Sequence, residues 1–321
     1  MSRRDADIVF VGDRCCDHSS SSGYDQLCRL FPDAGWLSGQ ALANGVERWH
    51  RRLEVPSPRI AHVIYGDCSG KHLFAPVRER FPEATIVATL HQPVARLLRD
   101  PAAAESLEAA DALFTVSRRQ ARELAALGIT TSALPHGVWT RAFRPSRPPE
   151  ELRRTALLVG NYLRDWPAIR RIVQRLHRAG ADTVLVGTNA PRETFVDDPA
   201  VSVCPRLSED ALARVYDGAA ALLMVVRDAT ASNAVLESMA AGCPVVFNES
   251  PALVEYVGDT IDAFANEEEA VMRVLHYADD VRARSARSEV LMDRAERFDW
   301  ARLAGRYRRA YDAQRPALAI S

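Results

Sequence analysis

Through most of its length the chain alternates short apolar runs rich in β-formers with amphipathic stretches. That alternation confines it to parallel sheets joined by crossover helices. In the first half the strand-like runs are Asp7 to Val11 (DIVFV), Ile60 to Tyr65 (IAHVIY), Ala84 to Leu90 (ATIVATL) and Ala112 to Val116 (ALFTV). Helical patterns lie between and after them. The stretch Arg118 to Leu127 is a clear one, with Ser117 placed to cap its start and Gly128 to end it.

The segment Phe143 to Pro149 (FRPSRPP) breaks the alternation with three prolines, two arginines and no apolar period, and reads as an interdomain linker. After it the pattern restarts. TALLVG leads through the loop NYLRDW to a helix with Pro167 at its start and Gly180 past its end, then to the strand DTVLVG. AALLMVV follows, then the loop RDATAS, the helix NAVLESMAA, and Gly242 and Pro244 leading into PVVF. The expected organisation is a first Rossmann-like domain over 1–148, a second over 149–300, and a closing helix and tail over 301–321 that packs back on the first. A length of 321 residues suits two domains.

Charge narrows the function. With 41 basic against 42 acidic residues, net −1, there is no field to hold nucleic acid through its phosphates. Of the 41, a single one is lysine, Lys71, so chemistry needing a lysine in the second half is excluded. The six cysteines show no CxxC pair and read as reduced thiols of a cytoplasmic protein. Cys15, Cys16 and His18 share one loop but lack distant partners, so no metal is expected there. The start, MSRRDADIVFVG, carries two aspartates before its short apolar run and reads as a strand rather than a signal peptide. No apolar run approaches the length of a membrane span.

In an open parallel sheet ligands bind beyond the carboxyl ends of the strands. That rule selects Gly12 to Gly23, Gly66 to Gly70, His91 to Pro93 and Pro135 to Val138 in the first half, and Gly160 to Trp166 and Arg227 to Asn233 in the second. RDATASN ends on a capping serine before a helix, so a phosphate can sit on the amides near Ser232 and Asn233, with Arg227 or Arg164 closing over it. Glu237, one turn in, can accept two hydrogen bonds from a vicinal diol such as ribose. Taken alone, the pair reads equally as a cap and a solvated helix residue.

The fuller string DATASNAVLESMAAGCPVV resembles the donor-binding segment of the retaining glycosyltransferases of family 4, whose pattern includes Leu-Glu-Ala-Met-Ala, any residue, Gly, any residue, Pro-Val-Val. Further likenesses follow in order along the chain: LHQP at Leu90 to Pro93, FTVS, LPHGV at Leu134 to Val138, LLVGNYLRDW and FDWARLAGRYRRAYD. The resemblance implies a GT-B fold, two Rossmann-like doubly wound parallel-sheet domains facing across a cleft. It also implies transfer of a sugar from a UDP- or GDP-linked donor to an acceptor hydroxyl, with retention of configuration, no divalent metal and no other cofactor. By the same resemblance His91 lies at the reacting centre, and Arg164, Arg227, Ser232, Asn233, Glu237, Asn161 and Gly23 bind the donor. Ser22, Asp67 and His136 are assigned to the acceptor side.

The departures matter as much. The family's first glutamate, separated from the second by seven residues, falls on Ala229, so Asp228 is the residue expected to take over at the donor sugar. Its phosphate-binding lysine has no counterpart here, and an arginine fork prefers bidentate contact with two phosphate oxygens. His136 stands where the family has asparagine.

Other readings remain open at this level. A non-catalytic nucleotide-sugar-binding partner, or an epimerase or hydrolase using the same donor site, would show the same motifs. A sugar phosphorylase would need a lysine in the second half for pyridoxal phosphate, and a nicotinamide dehydrogenase a G-x-G-x-x-G after the first strand. To Glu150 the chain has 19 basic and 17 acidic residues, which favours a soluble acceptor over an anionic lipid surface.

Overall fold

The computed structural model describes residues 7–14, 19–51, 55, 57–145, 153–187, 195, 198–204 and 206–314. Cys15, Cys16 and His18 lie outside them, as do residues 146–149 of the proline-rich stretch. The chain divides into two compact units. One takes the described parts of Met1–Cys15, Gly23–His136 and Trp300–Ser321, the other those of Cys16–Ser22 and Gly137–Asp299.

The first unit is built on β1 (Ile8–Val11), β2 (Gly35–Leu37), β3 (Trp49–Arg51), β4 (Ile60–Val63), β5 (Thr85–Leu90), β6 (Ala112–Thr115) and β7 (Ser132–Ala133), in the order β3-β2-β1-β4-β5-β6-β7. All neighbours are parallel except β2 and β3. Strands β1 and β4 are buried at every position, which is why their runs show no apolar and polar alternation. The Arg118–Ala125 helix starts as its sequence requires, with the Ser117 hydroxyl accepting from the Gln120 amide, and Gly128 follows at φ +81°.

A polar chain runs through this core. His62, at the centre of β4 and fully buried, pairs through Nδ1 with the Tyr311 hydroxyl at 2.6 Å and through Nε2 with Thr89 Oγ1 at 2.8 Å. Thr89 meets the Tyr24 hydroxyl at 3.0 Å. The Tyr307 hydroxyl donates to the Pro135 carbonyl and meets the Tyr24 hydroxyl, each at 3.1 Å. Tyr307 and Tyr311 are one turn apart on the Trp300–Ala313 helix, so the network fastens that helix to the first sheet.

The second unit carries β8 (Thr155–Val159), β9 (Asp182–Val186), β10 (Val201–Cys204), β11 (Ala221–Met224), β12 (Val245–Asn248) and β13 (Ala263–Phe264), in the order β10-β9-β8-β11-β12-β13 and parallel throughout. Its Trp166–Arg178 helix is capped by Asp165, whose carboxylate accepts from the Ala168 amide, and buries Ile169, Ile172, Val173 and Leu176 on one face. Phe143, expected to open the linker, instead lies in the core of this unit, 1% exposed and edge-on to the Tyr216 ring. No described helix is long and apolar enough to cross a membrane.

Burial holds the His62 imidazole neutral, pushing its pKa down to about 3 from an ordinary 6.5. Between those values the unfolded chain binds a proton that the native state refuses, so this residue's contribution to stability is lost as pH falls through that window, at about 1.4 kcal/mol per unit. Thermal melts of wild type and His62→Gln should therefore converge as pH falls from 6.5 toward 4. A constant gap between the two melting temperatures would contradict the assignment.

Candidate functional site

In the second unit chain order reverses between β8 and β11: β9 and β10 extend the sheet to one side, β11 to β13 to the other. This is the switch point at which an open parallel sheet leaves a crevice. Strands β8 and β11 pair at only two positions, Ala156 with Ala221 and Leu157 with Leu222. Beyond them the two loops are sewn together by backbone: Asp165 N–H donates to the Val225 carbonyl at 3.0 Å, Arg227 N–H to Leu163 at 2.9 Å, and Arg164 bridges Val226. The Asn248 side chain, at the end of β12, accepts from Val226 N–H at 2.8 Å and donates to its carbonyl at 2.9 Å. Leu163 takes up φ +54°, a left-handed conformation that costs a branched side chain energy and is stored in this loop.

This geometry buries Arg164. Its guanidinium donates to the Val159 carbonyl at 2.6 Å, and no carboxylate forms an ion pair with it among the described residues. Loss of hydration pushes its pKa down to about 10, so it is still a cation at neutral pH. Arg227 is exposed, and Asn161 half-buried on the same loop as Arg164. Asp228 turns its carboxylate onto the Ala229 amide at 2.8 Å.

Ser232 and Asn233 are half-buried at the start of the Asn233–Ala240 helix. Ser232 occupies the cap position, but its side chain makes no capping bond, contrary to the expected role. The first-turn amides and the positive end of the helix dipole are thus left to other acceptors.

Glu237 is not a solvated helix residue. It is 3% exposed, with Oε1 accepting from Ser19 at 2.9 Å and from Ser22, and Oε2 accepting from the Tyr216 hydroxyl at 2.8 Å. Burial raises its pKa and the three hydroxyls oppose the rise. Ser20 and Ser21, between those two serines, donate to the two oxygens of Glu209 at 2.8 and 2.7 Å. Gly23, the next residue, is buried at φ −60°, and its carbonyl accepts from Gln26 N–H at 3.0 Å.

In the first unit His91 follows β5. Its Nε2 meets the Ile64 carbonyl at 2.9 Å, and because a carbonyl only accepts, Nε2 carries a proton there. The Tyr24 ring stands edge-on at 4.5 Å and Tyr65 lies at 4.9 Å. His136 is buried between Tyr24 at 5.4 Å and Trp300 at 5.6 Å. The buried Trp300 Nε1 finds no partner among the described residues.

Asp67, assigned to the acceptor side, has no exposed surface at all. Its oxygens accept from His91 N–H at 2.9 Å, from Gln92 N–H at 2.7 Å and from the Cys68 thiol. It fixes the turn that presents His91, and burial lifts its pKa to about 6. Lys71 is paired with Asp100 at 2.7 Å. Tyr24, Tyr216, Asn248 and Trp300 were not singled out from sequence; only Asn248, a lone polar residue closing an apolar strand, carried a local signal. Among the described residues no group of three or more His, Cys, Asp or Glu is placed to hold a metal ion.

Residues 155–280 match the family described as Glycosyl transferases group 1. The chain is similar to glycosyltransferases. No curated protein matches its sequence. Among solved structures it is similar to the catalytic domain of starch synthase IV from Arabidopsis thaliana, bound to ADP and acarbose, with a TM-score of 0.62 at 14% identity over 86% of this chain and 74% of that one. Sucrose-phosphate synthase from Thermosynechococcus elongatus gives 0.62 at 17% identity, over 80% and 75%. The apo structure of OtsA gives 0.71 at 11% identity, over 97% and 99%. The fold is that of the GT-B glycosyltransferases, two units each with its own parallel sheet, and together these likenesses support a transferase enzyme.

Replacing Asp67 by Asn sets an amide N–H against backbone N–H donors in a dry site. The variant should lose about 2 kcal/mol in urea unfolding, from donors left unmet. Unchanged stability would show that the His91 turn does not depend on the carboxylate.

Proposed function

We propose that the protein transfers a sugar from a nucleoside diphosphate sugar to an acceptor hydroxyl with retention of anomeric configuration. The observation that carries the reading is the buried Arg164 at the switch point, with no carboxylate paired to it among the described residues, on a loop bonded by backbone to the one that leads into the Asn233–Ala240 helix, whose Ser232 makes no side-chain cap. A buried cation without a paired carboxylate, together with helix amides that no side chain caps, suits an anion of two or more charges.

In this reading the diphosphate lies on the amides of Ser232 and Asn233, with Arg164, Arg227 and Asn161 around it, and Glu237 receives the ribose diol. The leaving diphosphate gains negative charge as the sugar acquires positive charge, so fixed donors aimed at the phosphate lower the barrier without a resident metal. Arg164 is well suited to the task, since its planar fork engages two phosphate oxygens and its charge persists despite burial. Asp228 is assigned to the donor sugar, and His91 to holding a substrate hydroxyl by hydrogen bonding, with its Nε2 proton directed at the Ile64 carbonyl. Gly23 and His136 belong to the remaining surface of substrate contact. The acceptor is taken to be a soluble hydroxyl compound.

Calorimetric titration with UDP, GDP and ADP tests the donor site, and at least one should bind. Arg164→Leu should weaken that nucleotide about a hundredfold while leaving the nucleoside alone unaffected, as loss of one charge-assisted contact to phosphate requires. Absence of binding by all three nucleotides would remove the basis of the reading. With the donor identified, His91→Ala should lower turnover about a hundredfold and leave donor affinity nearly unchanged. Full turnover in that variant would take His91 out of the chemistry.

A further inference from the structure

Four consecutive serines, Ser19 to Ser22, all spend their hydroxyls on two glutamates of the second unit. The outer pair bonds Glu237 and the inner pair Glu209. The backbone supports the arrangement, since the Ser21 carbonyl accepts from Trp139 N–H at 2.9 Å. Ser22 is fully buried and Glu237 nearly so. Two hydroxyls whose oxygens lie 2.8 Å apart, as adjacent hydroxyls of a diol do, converge on a single carboxylate oxygen. That is the hydrogen-bonding pattern of a vicinal diol.

We infer that the serine loop is an internal stand-in for the ribose diol: it occupies Glu237 in the unliganded protein, and a ribonucleotide must displace Ser19 and Ser22 to reach it. The inference rests on the donor-site reading given above and adds a regulating element to that site. A hydroxyl for hydroxyl exchange leaves the number of bonds to Glu237 unchanged, so displacement is close to neutral there. The cost falls on the four serine contacts, and it is subtracted from nucleotide affinity. Tyr216 keeps its bond to Oε2 in both states, so the carboxylate is never stripped of donors.

The test uses the full chain and direct titration. Ser19→Ala combined with Ser22→Ala removes the competitor and should bind the ribonucleoside diphosphate about tenfold more tightly than wild type, the net worth of two displaced hydrogen bonds. The 2′,3′-dideoxy analogue of the same nucleotide, which cannot replace the serines, should gain much less. Ser20→Ala with Ser21→Ala releases the loop from Glu209 without touching the partners of Glu237 and should shift affinity in the same direction. Equal or weaker ribonucleotide binding by the Ser19 and Ser22 double variant would overturn the inference while leaving the donor site standing. If neither wild type nor either variant binds any nucleoside diphosphate, the donor-site reading itself falls, and this inference with it.

Discussion

The second unit depends on how little β8 and β11 pair. A parallel sheet whose order reverses must part its loops at the reversal, because the helices after the two strands leave on opposite faces. Here only two residue pairs hold the strands, and the loops beyond are joined by main-chain bonds around Leu163, Arg164 and Val226. That seam explains three local features together. Leu163 is driven to a positive φ, Arg164 is turned inward onto the Val159 carbonyl, and Asn248 is recruited from β12 to satisfy both polar groups of Val226. Each would be an anomaly in isolation, and each follows from closing a gap with backbone.

The near absence of lysine takes on meaning at the same place. An ammonium group buried as Arg164 is would lose more of its charge, since it starts at a pKa of about 10.4 and the same desolvation brings it closer to neutral pH than a guanidinium, which starts above about 12. Burial moves Arg164 only to about 10, leaving it cationic. Arginine therefore permits a persistent positive charge to be set deeper, and to be held by a carbonyl instead of a carboxylate.

Much of the frame was legible in the sequence. The central strands β1, β4, β5, β6, β8, β9, β11 and β12 coincide with mainly apolar runs, because most of their positions are buried. Of the rest, β2, β3, β7 and β13 span two or three residues each and leave too short a pattern to read. Helix ends at Ser117, Asp165 and Gly128 were written in local residue types, whereas Ser232 has the right type and no capping bond. Local type states what a residue can bond, and the tertiary fold decides whether it does.

Partners far apart in sequence were the illegible part. Ser19 and Glu237 are 218 positions apart, and nothing near either residue announces the other. Asp67 reads from sequence as an acceptor-side loop carboxylate, yet it is consumed by the amides of a turn 24 residues on. The nature of those partners also sorts the buried carboxylates by what they can do. Asp262, bonded by the Arg287 guanidinium at 2.6 Å, is neutralised in place, and removing Arg287 would leave a bare charge. Asp67 is held by rigid backbone donors that cannot leave without unfolding the turn. Glu237 alone of the three is surrounded by side-chain hydroxyls, each a neutral donor on a rotatable bond, which another hydroxyl compound can replace without moving a charge or breaking the main chain. A carboxylate so held is stable without a ligand and still open to exchange with one.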